Sequence, residues 1–168
     1  MKKLLPFAGF CATVLGIIAL ILVMATNSVG YPLTSSSTSW YSGIQGIFGG
    51  KVDLIVTTGT IKGTAGAIIA FILLIVGIIL ACAASLLPLL KKMVNLAGWF
   101  GLIGCVCLIV AGILFFFEVP MFVHAQDSSA STDGYILGGG WVTAGILAIV
   151  GGGVALLPSL FAFLAKKK

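Results

Sequence analysis

Four apolar stretches, at 4–26, 64–90, 93–117 and 136–165, take up most of this 168-residue chain. Each exceeds the ~20 residues needed to carry an α-helix, at ~1.5 Å per residue, across ~30 Å of hydrocarbon. The expected fold is therefore an all-α integral membrane protein. It is a four-helix transmembrane bundle forming a single domain over 1–168, with outer loops at about 27–63 and 118–135.

Charge sets the orientation. Lys2 and Lys3 precede the first span, Lys91 and Lys92 separate the second from the third, and Lys166, Lys167 and Lys168 follow the fourth. These seven of the nine basic residues mark one side, so both termini and the short middle turn are expected in the cytoplasm. The formal net charge of +5 then reflects topology, with attraction to anionic headgroups as a by-product. The cytoplasmic segments are too short to form a basic face with stacking aromatics, which excludes nucleic-acid binding. The apolar run after Lys2-Lys3 is longer than the ~7–15 residues of a signal-peptide core, and it reads as a retained anchor. Heavy use of lysine without arginine in a compact, loop-poor chain points to a prokaryotic plasma membrane.

Cys11, Cys82, Cys105 and Cys107 all fall inside spans, so no disulfide framework is expected in the loops. They read as small buried side chains. Small residues recur at four-residue intervals in every span: Ala8, Ala12 and Gly16; Gly77, Ala81 and Ser85; Ala97, Gly101 and Cys105; Ala144, Ala148 and Gly152. In lipid, Leu against Leu gains little over Leu against acyl chain, so close backbone approach at such rows marks the helix contact faces. Trp99, Tyr135 and Trp141 lie near span ends, where aromatic residues ordinarily occupy the membrane interface.

Two hairpins of the chain begin alike. Lys2-Lys3-Leu4-Leu5-Pro6-Phe7-Ala8-Gly9-Phe10 aligns without gaps on Lys91-Lys92-Met93-Val94-Asn95-Leu96-Ala97-Gly98-Trp99, and Leu86-Leu87-Pro88 matches Leu156-Leu157-Pro158. A unit of helix, outer loop, helix used twice would give a pseudo-two-fold axis along the membrane normal.

The first outer loop opens with a Ser/Thr run, Thr34 to Ser39, that reads as solvated extended chain. Ile44-Gln45-Gly46-Ile47-Phe48, Gly49-Gly50 and Lys51-Val52-Asp53-Leu54-Ile55-Val56 then read as a small β-hairpin turning at the glycine pair. A lone hairpin is marginally stable, so it needs support from a helix end, from the second loop or from a neighbouring molecule; it either covers the outer end of its own bundle or offers its free edge to another protomer. The residues expected to carry assembly are Ile44, Ile47, Phe48, Lys51, Val52, Asp53, Leu54 and Val56. Those expected to carry helix packing are Ala12, Gly16, Gly77, Ala81, Gly101, Ala148 and Gly152.

The layout resembles that of claudins and related four-span proteins: inner termini, a longer first outer loop with strand character, a shorter second one and a tight inner turn. Trp40 and Gly43, in Trp40-Tyr41-Ser42-Gly43, are similar to the start of the claudin Trp-Gly-Leu-Trp signature. The family's second tryptophan and its loop cysteines have no counterpart here. The resemblance implies outer loops that assemble side by side and face to face.

No catalytic, cofactor or metal site is expected. The span interiors hold no Asp, Glu, Lys, Arg or His, whose insertion cost is tolerated chiefly for function. Glu118 at the end of the third span and His124, the sole histidine, do not complete a metal site. They read as an interfacial helix end and a loop residue. The leading expectation is a non-enzymatic structural membrane protein that self-assembles in the bilayer as a homo-oligomer. The alternatives are an oligomeric channel and an accessory subunit partnered with other membrane proteins.

Overall fold

The computed structural model of the chain describes residues 5–34, 37–53, 58–87, 94–129 and 131–165. Four helices are long and apolar enough to cross a membrane: α1 (Leu5–Ala25), α3 (Ala65–Leu86), α4 (Val94–Phe116) and α6 (Gly139–Ala165). Two short helices, α2 (Gly43–Phe48) and α5 (Glu118–Gln126), and five strands, β1 (Asn27–Thr34), β2 (Ser37–Ser42), β3 (Gly49–Asp53), β4 (Thr58–Lys62) and β5 (Ile136–Leu137), form a cap at one end of the bundle. The lysine clusters expected to set orientation, together with Pro88, lie outside the described residues.

Each long helix packs against its sequence neighbours, and α6 closes the ring against α1. The small residues make this possible. A Cβ on Gly16 would sit 2.6 Å from Ile78 Cγ1, one on Gly77 would sit 2.7 Å from Leu108 Cγ, and one on Gly152 would sit 2.7 Å from Ile109 Cγ1. On Gly101 it would meet the Ser159 hydroxyl. Ala12, Ala81 and Ala148 are buried. All seven packing residues thus lie at contacts within the chain, where near-touching backbones supply the dispersion that association in lipid depends on. What faces outward is bulky, including Phe10, Ile21, Ile72, Ile79, Val106 and Ile146.

The ring sets α1 diagonal to α4 and α3 diagonal to α6, as a two-fold relation between hairpins requires. The two connections differ, however. The first contains four strands and α2, whereas the second contains α5 and the two-residue β5.

The cap departs from the expected single hairpin. Ile44–Phe48 is helical, because Ser42 and Gln45 close a capping box: Gln45 N–H donates to Ser42 Oγ (3.3 Å) and Ser42 N–H donates to Gln45 Oε1 (3.0 Å). Gly49, at φ +74°, ends that helix where a side chain would collide with Ile61 O and Gly63 N. A hairpin follows one step later, β3 pairing antiparallel with β4 from Gly49↔Lys62 to Asp53↔Thr58. Leu54 and Val56, expected in the second strand, lie outside the described residues. Of the run expected to be solvated chain, Thr34 ends β1 and Ser37, Thr38 and Ser39 begin β2, the outer strand of an antiparallel sheet in the order β2-β1-β5.

Candidate functional site

The break between α4 and α5 places an acidic side chain where none was expected. Phe117, at φ −91° and ψ 9°, leaves helical geometry, its N–H turning back to Leu114 O (3.0 Å). α5 starts at Glu118, with Pro120 in its first turn, where a missing N–H removes no intrahelical bond. Glu118, expected as an interfacial helix end, is the first residue of α5 and is completely buried. It is buried because the segment expected to be the first strand of the hairpin is instead α2, which lies over it at the end of the bundle.

Three segments distant in sequence surround the carboxyl. Glu118 Oε1 lies 3.4 Å from the point a Cβ on Gly46 would occupy, so the absence of a side chain at Gly46 lets α2 close over it. The same point is 2.6 Å from Ser28 Oγ, whose hydroxyl is committed to Tyr41 O and Ser42 O at 3.2 Å each. Thr64, at the start of α3, is also buried, and its N–H donates to Gly46 O (3.4 Å). Its hydroxyl makes no capping bond to its own helix. Neither carboxyl oxygen of Glu118 nor Thr64 Oγ1 makes a well-formed hydrogen bond with any described residue.

Burial pushes the Glu118 carboxyl up to about 8, with the nearby Thr64 hydroxyl acting weakly in the opposite direction. That shift favours the uncharged acid, which has one proton to donate and acceptor capacity to spare. His124, on the same helix, is exposed and is not brought to Glu118. Among the described residues no three His, Cys, Asp or Glu side chains gather into a metal-binding group.

Two glutamines tie the cap down. Gln126, the last residue of α5, grips β4 at Lys62: its Oε1 accepts from Lys62 N–H (3.0 Å) and its Nε2 donates to Lys62 O (2.8 Å). Gln45 Nε2 donates to Lys51 O (3.0 Å) on β3. Each glutamine stands in for a further strand at one rung of the hairpin. The edge expected to be free is thus partly occupied from within the chain.

The remaining predicted assembly residues divide. Ile47 is buried in the core, whereas Ile44 is exposed, as is Phe48, whose ring meets that of Phe71 on α3 edge-on at 5.8 Å. Val52 and Asp53 occupy β3, opposite Gly59 and Thr58.

Trp141, expected at the membrane interface, is fully buried. Its ring packs edge-on to Phe115 (5.3 Å), and its Nε1 donates to Val23 O (3.1 Å).

The chain matches no protein family and no curated protein, so the site stands on its own geometry. Four apolar helices do not by themselves identify a claudin-like family.

Proposed function

We propose that this chain is a non-enzymatic structural membrane protein that self-assembles through its cap, with the cap on the non-cytoplasmic side of a plasma membrane. The observation that carries this reading is β2. It is an outer strand, Ser37-Thr38-Ser39-Trp40-Tyr41-Ser42, with no lysine, acidic residue or proline to discourage pairing. Trp40, Gly30 and Ile136 form one row across β2, β1 and β5. The Trp40 ring lies over Gly30, and both Trp40 and Ile136 are exposed. An uncharged strand edge beside an apolar row suits strand addition by a second copy.

The hairpin β3–β4 supports assembly less well than β2, because Gln45 and Gln126 already occupy part of its edges. The ring interior also favours a structural role over a pore through one chain: Leu74, Leu108, Phe115 and Trp141 are fully buried and fill it. Native mass in mild detergent tests the reading. The parent should run as an oligomer, and Trp40→Lys should release monomers at unchanged membrane expression. A parent that is monomeric, or a variant of undiminished mass, would shift the role to an accessory subunit or to assembly elsewhere on the surface.

A further inference from the structure

We propose that Glu118 is a proton-binding site whose occupancy holds the cap closed over the end of the bundle. The argument starts from its enclosure. The side chain has no exposed surface, and among the described residues neither oxygen has a well-formed hydrogen bond. Gly46 of α2 lies against one of them, and the buried Thr64 hydroxyl, which makes no well-formed hydrogen bond among the described residues, is near enough to favour the ionised form. An ionised carboxylate in that position would keep a charge out of water without compensating bonds, a state that buried acids avoid by holding their proton.

Among the described residues no cation faces the site to relieve this. α2 and the start of α3 carry no charged side chain. On β1, the Tyr31 ring is exposed and packs on Tyr135, which leads into β5; on β2, Tyr41 packs on Phe122. Lys51 on β3, Lys62 on β4 and His124 on α5 are all exposed, as is Asp127 beyond the end of α5. The nearest acidic neighbours along the chain, Asp127 and Asp133, bond to Ser129 and Ser131 rather than to the site.

α2 has six residues and is anchored by Ile47 in the core, by Phe48 against Phe71 and by Gly43 N–H to Thr26 O (2.8 Å), whereas over Glu118 it makes only the long Thr64 N–H to Gly46 O bond (3.4 Å). Loss of the proton creates a charge that the Thr64 hydroxyl alone only partly offsets, and water completes its solvation by separating α2 from Thr64. The sign follows from linkage. The folded chain keeps this proton up to about pH 8, whereas an unfolded glutamate releases it near 4.5. Between those values the folded state binds more protons than the unfolded one. Stability therefore falls as pH rises through that window, by up to about tenfold in the folding equilibrium per pH unit, and levels off above it.

Glu118 is the sole glutamate in the chain, so glutamate labelled with 13C at the side-chain carboxyl reports on this group alone in the intact protein. Infrared spectra should show a protonated carboxyl at neutral pH that ionises near 8. Hydrogen exchange in α2, corrected for its intrinsic rise with pH, should step up at the same midpoint. Glu118→Gln, which keeps the shape but carries no titrating proton, should abolish that step. Thr64→Val, which removes the hydroxyl that favours the ionised form, should raise both midpoints together, and it tests the coupling even if the glutamine variant does not fold. The proposal is overturned by a carboxyl already ionised at neutral pH, by an α2 exchange step that survives in Glu118→Gln, or by midpoints that separate in Thr64→Val. It is equally overturned if exchanging sodium or calcium for choline at fixed pH shifts the carboxylate band, since the site would then belong to a metal cation.

Discussion

Replacing Trp141 with phenylalanine should destabilise the bundle by about 2–3 kcal/mol, and the structure fixes where that figure comes from. Val23 lies in the last turn of α1, and the residue that would ordinarily bond its carbonyl, Asn27, has already entered β1. The indole N–H of Trp141, from the first turn of α6, takes that place at 3.1 Å. Phenylalanine keeps a ring against Phe115 but has no donor, so the loss has two parts. The interhelical hydrogen bond is worth ~0.6–1.7 kcal/mol in a membrane bundle, where the unfolded state also finds partners. The missing pyrrole half of the indole forfeits a further ~1–2 kcal/mol of contacts in a site with no exposure. Steric trapping of the reconstituted protein measures the difference directly, without extrapolation from denaturing detergent. Trp141→Ala, which also loses the ring and leaves a cavity, should cost more, ~3–5 kcal/mol. If Trp141→Phe lies within ~0.5 kcal/mol of the parent, the indole does not cap α1 and Val23 O finds another donor.

Gln126→Ala should free both backbone groups of Lys62, accelerating hydrogen exchange at Lys62 while lowering global stability by less than ~1 kcal/mol, because the bonds are exposed; unchanged exchange would refute the tie between α5 and β4. A cysteine placed at Ser37 or Ser129 should react with an impermeant thiol reagent added outside cells, and one at Lys92 or Lys167 should not; labelling at Lys92 from outside would reverse the orientation that the lysines imply.

What could be read in advance, and what could not, divides along a physical line. The spans were legible because hydropathy is a local property: the expected ranges bracket α1, α3 and α4 to within a few residues, and α6 begins only slightly later than expected, since Ile136 and Leu137 are drawn into β5. The small-residue rows were legible for the same reason, each being a pattern on one helix. The cap was misread at the point where two local signals compete. Gly49-Gly50 suggests a hairpin turn, but Ser42-Gly43-Ile44-Gln45 carries a capping box, and the helix it starts consumes the segment expected to be the first strand. Pairing of β1 with β5 joins Gly30 to Ile136 and leaves no trace in either segment alone.

Glu118 is the extreme case. Its setting depends on Ser28, Gly46 and Thr64, contributed by β1, α2 and the start of α3, and no spacing within Phe115-Phe116-Phe117-Glu118-Val119-Pro120 encodes them. One hint was present: a lone carboxylate directly after three phenylalanines is costly to place at a bilayer edge unless something uses it. The rule that intramembrane ionisable residues signal function therefore extends here past the formal end of the span, to the first residue of the helix that follows. The same glycine that makes α2 a poor candidate for an isolated helix, Gly46, lets it close upon the acid. If Glu118 holds its proton as proposed, the protonation state of one buried side chain bears on how α2 sits over the end of the bundle, beside the strand pairing and the buried Ile47 that anchor the cap.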